Sequence, residues 1–137
     1  MATVIRPEIS TKNKYYIDKH RHYELKHFCL QYPIWKRTYL ALSELGSSVV
    51  SEDIRGYDIS DPTSKCAIRR MYYRDRIDLV EQTAKEADEF LHSYILKAVT
   101  EELSFTYLKS KMNIPCGRDM YYDRYRRFFW LLSKARD

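Results

Sequence analysis

An all-α protein is what this sequence predicts, and three observations carry the expectation. Only three Gly and four Pro punctuate 137 residues, so few positions force the chain to turn. Apolar residues recur at alternating spacings of three and four over most of the length, the period of one face of a helix. A composition of 45% hydrophobic, 15% aromatic and 31% charged residues can supply a core and argues against a disordered chain. The expected architecture is an N-terminal helical pair, a long central helix and a C-terminal helix-turn-helix. Along the chain this divides into a flexible arm over 1–13, the helical pair with a linker over 14–60, and the long helix with the helix-turn-helix over 61–137.

Residues 1–13 have no clear period and are interrupted by Pro7, which reads as a mobile or partner-ordered arm. Lys14 to Gln31 turns helical and shows apolar material on two sides: Ile17, Leu25, Phe28, Cys29 and Tyr32 on one, Tyr16, His20, Tyr23, His27 and Leu30 on the other. Such a helix is deeply buried or shared with a partner. A second helix is expected from Pro33, tolerated in a first turn, to about Leu45, with Gly46 closing it. Residues 47–60 hold Ser47, Ser48, Ser51, Gly56 and Asp58 around short apolar pairs and read as the linker, with at most a short two-stranded element near Val49 to Ile59.

Asp61 and Pro62 suit the cap and first position of a long helix. Within it Tyr73, Ile77, Val80, Ala84, Ala87 and Leu91 alternate by fours and threes, a packed seam. That seam pairs either with the N-terminal helices of the same chain or with a second copy, and a homodimer follows from the latter together with the spare face of Tyr16, Tyr23 and Leu30. A break near Asp88 or His92 is expected before a short helix through Tyr94 to Val99.

The last third organises the functional reading. A helix should start at Ser104, whose hydroxyl can accept from first-turn amides, and run through Phe105, Leu108 and Met112. Asn113 to Gly117 interrupts it: Pro115 lacks an amide proton, and Gly117 can take backbone angles closed to other residues. From Arg118 to Lys134 there is no Gly or Pro, and Tyr121, Tyr125, Phe128 and Leu132 form one buried stripe. The opposite side carries Asp119, Tyr122, Asp123, Arg126, Arg127, Trp130 and Lys134, flanked by Arg118 and Arg124. Early residues of a recognition helix reach base edges, and Arg fits a guanine edge. Arg118, Asp119, Tyr122 and Arg126 are therefore the base-facing candidates, with Arg127, Lys109 and Lys111 as further nucleic-acid contacts. The bland alternative is a solvated helix face whose cations suit the C-terminal end of the dipole. A second basic tract with interleaved aromatics, Arg69, Arg70, Arg74 and Arg76 with Tyr72, could grip phosphates, though Asp75 and Asp78 partly neutralise it.

The stretch Leu103 to Arg136, with Leu-Ser-Phe-Thr-Tyr-Leu-Lys, then Ile-Pro-Cys-Gly-Arg, then Tyr-Tyr-Asp-Arg-Tyr-Arg-Arg-Phe-Phe-Trp-Leu-Leu, resembles the promoter-recognising fourth region of bacterial sigma factors. More closely it is similar to the small phage and prophage transcriptional regulators of the ArpU and RinA type. Tyr23 to Pro33 and Ile59 to Thr63 are similar to segments of Firmicutes phage proteins of that group. The resemblance implies a DNA-binding regulator of transcription.

Charge and chemistry narrow the classes. A net charge of +5, from 24 Lys and Arg against 19 acids, is compatible with a polyanionic partner. Cys29, Cys66 and Cys116 are odd in number and far apart, as reduced intracellular thiols are. With no signal-like or membrane-length apolar segment, the expected location is the cytoplasm of a bacterial host, off the membrane. His20 and His22 project about 200° apart on a helix and cannot share a metal ion by themselves. No phosphate loop, nucleophile elbow or paired carboxylate stands out, so no catalytic residue, metal or cofactor is expected. The first functional reading is a regulator that binds double-stranded DNA and contacts host RNA polymerase. The alternative is a phage-derived inhibitor that binds another host protein, such as a nucleic-acid defence enzyme.

Overall fold

A computed structural model of the chain describes residues 11–52 and 62–136, the stretch 45–52 as backbone only. Six helices occupy well over half of the chain: α1 Lys19–Leu30, α2 Tyr32–Glu52, α3 Pro62–Ala87, α4 His92–Glu101, α5 Phe105–Met112 and α6 Arg118–Ala135. No strand occurs among the described residues, and the fold is all-α. Residues 1–10 of the expected arm, the cap Asp61 and residues 53–59 of the expected two-stranded element lie outside the described residues.

The described chain forms two compact units, with the division inside α3. One holds α1, the last turns of α3 from Leu79, and α4, α5 and α6; the other is Tyr32–Asp78.

In the first unit α1, α4 and α6 pack on one another. The seam residues Val80, Ala84, Ala87 and Leu91 are buried, as their spacing predicts. Beyond Ala87, where α3 stops, the Asp88 carboxylate accepts from the amides of Phe90 and Leu91, both at 2.8 Å, and holds the turn that leads into α4. α4 ends at Glu102 in the left-handed region (φ 59°), whose amide donates to the Ala98 carbonyl. Ser104 then caps α5 through its hydroxyl, which accepts from the Tyr107 amide at 3.1 Å.

α1 buries Leu25, Phe28 and Cys29, but its second apolar side does not become an interior face: His20, Tyr23 and His27 are exposed. His22 is buried instead, its ring edge-on to Phe129 at 4.7 Å, because the aromatic side of α6 lies against it. Arg21 joins the two helices, donating to the Ser133 hydroxyl at 3.0 Å and its carbonyl at 2.9 Å.

In the second unit α2 does not end at Gly46 but continues to Glu52. One glycine costs a helix interior only about 1 kcal/mol, too little to stop a helix that other residues anchor; here Trp35 and Leu42 are buried. The Cys66 thiol donates to the Leu42 carbonyl at 3.3 Å, and the Arg70 and Arg74 guanidinium groups stand 5.9 and 5.5 Å from the Tyr39 ring. These contacts set α2 and the start of α3 side by side.

Candidate nucleic-acid interface

α5 and α6 meet at a five-residue turn, Asn113 to Gly117, where the expected interruption falls. Asn113 takes the left-handed conformation (φ 55°, ψ 47°), and the amides of Asn113 and Ile114 both donate to the Leu108 carbonyl. Asn tolerates that region better than most residues, because its short amide can bond locally. Gly117 sits at φ −86° and ψ 177°, extended backbone open to any residue. The positive φ therefore lies at Asn113, four positions before the glycine that the sequence suggests for it. Ile114 is buried, and the Lys109 ammonium reaches the Ile114 and Cys116 carbonyls, both at 3.4 Å, tying the end of α5 to the turn.

Beyond the turn α6 buries Tyr121, Tyr125, Phe128 and Leu132, with Phe129 added to the predicted stripe. Their rings continue from Phe105 to Tyr121 at 5.5 Å, Tyr125 at a further 5.9 Å and Phe129 at 5.0 Å. Offset and tilted aromatic pairs at such separations attract beyond their buried area. Burial pushes the Tyr121 and Tyr125 phenols well above their ordinary values. The Tyr121 hydroxyl is buried without a hydrogen-bond partner among the described residues.

Against this frame the candidate contacts separate. Arg118 and Asp119 are exposed in the first turn of α6, the Arg118 guanidinium lying 5.1 Å from the Phe105 ring. Met120 and, on α5, Tyr107, Lys109 and Lys111 are exposed at the same corner. Tyr122 is half-buried between Phe105 at 6.3 Å and Tyr125 at 6.2 Å.

Arg126 is half-buried too; it donates to the Tyr122 carbonyl at 3.4 Å, and its Nε is buried with no partner among the described residues. Arg127 donates to the Glu86 carbonyl at 3.4 Å and the Tyr15 hydroxyl at 3.2 Å. Arg124 pairs with Asp88 at 2.8 Å and with Asp123.

Two contacts across the expected solvent face escape sequence reasoning. Tyr15, folded back by a turn in which its amide donates to the Asn13 side chain at 2.8 Å, is buried with its ring 5.4 Å from Trp130. Asp88 takes up Arg124 although 36 positions separate them. The Asx turns at Asn13 and Asp88 are readable locally, but nothing local points either at α6.

The second basic tract is also largely engaged. Arg70 and Arg74 face Tyr39, Arg74 pairs with Asp78 at 3.0 Å, and Arg76 lies 3.6 Å from the Tyr72 ring; Arg69 is exposed. Among the described residues no three His, Cys, Asp or Glu side chains gather as a metal site, and no helix is long and apolar enough to cross a membrane. No family model, curated protein or solved structure matches this chain.

Proposed function

We propose that the chain is a phage-type DNA-binding transcriptional regulator that docks the corner of α5 and α6 on duplex DNA, in the cytoplasm of a bacterial host. The supporting observation is the change of exposure along α6: Arg118 and Asp119 stand open directly after the turn, beside exposed Lys109 and Lys111, while the later turns are packed. In helix-turn-helix docking it is the N-terminal end of the recognition helix that meets base edges. Arg118 suits the O6 and N7 of guanine, Asp119 can accept from a cytosine amino group, and Tyr122 borders the contact. Lys109 and Lys111 hold the register through phosphates. Host RNA polymerase is the further partner in this reading.

Selection of bound duplexes from a random pool, followed by a salt series, tests it. Phosphate neutralisation by Lys109 and Lys111 should lower affinity about 12-fold between roughly 50 and 200 mM salt. A pool that yields no motif, with binding flat in salt, removes this reading.

A protein-binding role, such as inhibition of a host nucleic-acid defence enzyme, is the second reading. It is favoured by the internal use of Arg124 and Arg127, which leaves α6 a short basic edge in place of a full basic face. Specific capture of one host protein by a chain without duplex affinity would select it.

A further inference from the structure

Helix α3 is apolar on two opposite sides. Cys66, Ile77 and Val80 are buried on one of them. On the other Ile68, Met71 and Tyr72 are 66%, 62% and 49% exposed, and their spacing of three and four from Ile68 makes them a single stripe. Isolated exposed apolar residues are ordinary, whereas an adjacent group of large ones marks an interaction surface. The Tyr72 ring is also held in place, with the Arg76 guanidinium 3.6 Å from its centre and the Tyr73 ring T-shaped at 5.0 Å. A ring already fixed loses little side-chain entropy when it is covered.

The charges at the ends of the stripe say what covers it. Lys65 lies three positions before Ile68 and Asp75 three positions after Tyr72, both exposed. When the helix is laid antiparallel on a copy of itself, with the twofold axis level with position 70, Ile68 meets the copy's Tyr72 and Lys65 meets the copy's Asp75. Symmetry repeats both pairings. A parallel arrangement would instead set Lys65 on Lys65 and Asp75 on Asp75, like charges that repel.

We infer that the outer face of α3 from Lys65 to Asp75 is an isologous dimer interface, occupied by the same face of a second copy running antiparallel. Its location differs from the seam that the sequence offers for self-pairing, since Ile77, Val80 and Ala84 are already buried within the chain. Two short helical faces cover less than the roughly 800 Å² per partner of a standard interface, so dissociation constants of about tens of micromolar are expected. The inference is independent of duplex binding.

Sedimentation equilibrium of the full chain between about 5 and 200 μM tests it, a range set by the micromolar affinity that a small interface supports. The mass should rise from 16.6 kDa toward twice that value. Ile68→Asp should give a monomer throughout with an unchanged helical circular dichroism spectrum. Lys65→Glu and Asp75→Lys should each weaken the dimer about tenfold, and the doubly substituted chain should recover to within about threefold of the parent, because the exchanged charges meet again across the axis. A monomer at every concentration, a dimer indifferent to Ile68→Asp, or a double variant no better than the single ones overturns the proposal.

Discussion

Arg118 in the first turn of α6 is exposed, whereas Arg124, Arg126 and Arg127, two and three turns later, are half-buried and bonded within the chain. Asp88 takes the first of these, the Tyr122 carbonyl the second, and the Glu86 carbonyl with the Tyr15 hydroxyl the third. The same side chain thus does two different things on one helix. Helical periodicity says on which side a residue projects, but what lies over that side is decided by residues distant in sequence. The basic character of the middle of α6 goes into holding the fold, and that of the first turn stays exposed.

The interior side of α6 should give the largest effect. Phe128 is fully buried, and Phe128→Ala should cost about 3–5 kcal/mol through lost transfer energy and the cavity left behind. Urea unfolding at neutral pH measures it. A cost below 1 kcal/mol would mean that α6 is not the centre of its unit.

Next comes the ion pair that binds the middle of α6 to the end of α3. The Asp88 side chain is 11% exposed and serves two amides as well as Arg124. Asp88→Ala should cost about 2 kcal/mol, from the lost bonds to two turn amides and a lost charge-assisted bond to Arg124. Asp88→Asn, which can still accept from the amides, should cost less. Burial pushes the Asp88 carboxyl up, but hydrogen bonds from Arg124, Leu91 and Phe90 outweigh it and hold the group below its ordinary value. The folded value is therefore depressed. Its contribution is present above the unfolded pKa of about 3.9 and is lost as pH falls through the folded value. The stability difference between the parent chain and Asp88→Ala should accordingly shrink in the acid range; a constant difference down to full protonation would show that the charge contributes nothing.

A smaller effect of opposite sign is expected beneath the exposed turn. The Tyr121 hydroxyl is buried without a partner among the described residues, and an unsatisfied group of this kind costs about 1–3 kcal/mol. Tyr121→Phe should then stabilise by about 1 kcal/mol, read as a higher urea midpoint at unchanged slope. A loss of stability would mean that the hydroxyl is bonded in solution.

How much of this was legible in the sequence depends on the range of the signal. The stripe Tyr121, Tyr125, Phe128 and Leu132 of α6 and the seam from Ile77 to Leu91 follow from spacing alone, because each helix buries a face whose period its own residues declare. The Ser104 cap and the break at Asp88 were readable for the same reason, each being a bond within four positions. Gly46 and Gly117 misled. A glycine permits a helix end or a left-handed residue without requiring either, and here α2 continued while Asn113 took the turn. The site was half legible: periodicity identified Arg118 and Asp119 as outward-facing, but it also grouped Arg126 and Arg127 with them. Only the fold brings Tyr15 and Glu86 to Arg127, and no local pattern encodes a contact over 41 or 112 positions.

The smallest effect on folding belongs to Arg118, and it sharpens the contrast within α6 most. Arg118 is exposed, with its guanidinium 5.1 Å from the Phe105 ring, so Arg118→Ala should change stability by no more than about 0.5 kcal/mol. Arg126→Ala removes a half-buried stem and the donor to the Tyr122 carbonyl, and should cost about 1 kcal/mol. Binding should reverse that order. If Arg118 reads a base, its loss weakens the preferred duplex by roughly 1–3 kcal/mol and relaxes preference at one position, while Arg126→Ala weakens binding only as far as it disturbs the fold. Titration of both variants against the selected duplex, alongside their urea curves, separates the two roles. Equal binding losses would place Arg126 in the groove as well, and no loss at Arg118 would leave the α5–α6 corner without its proposed reader of sequence.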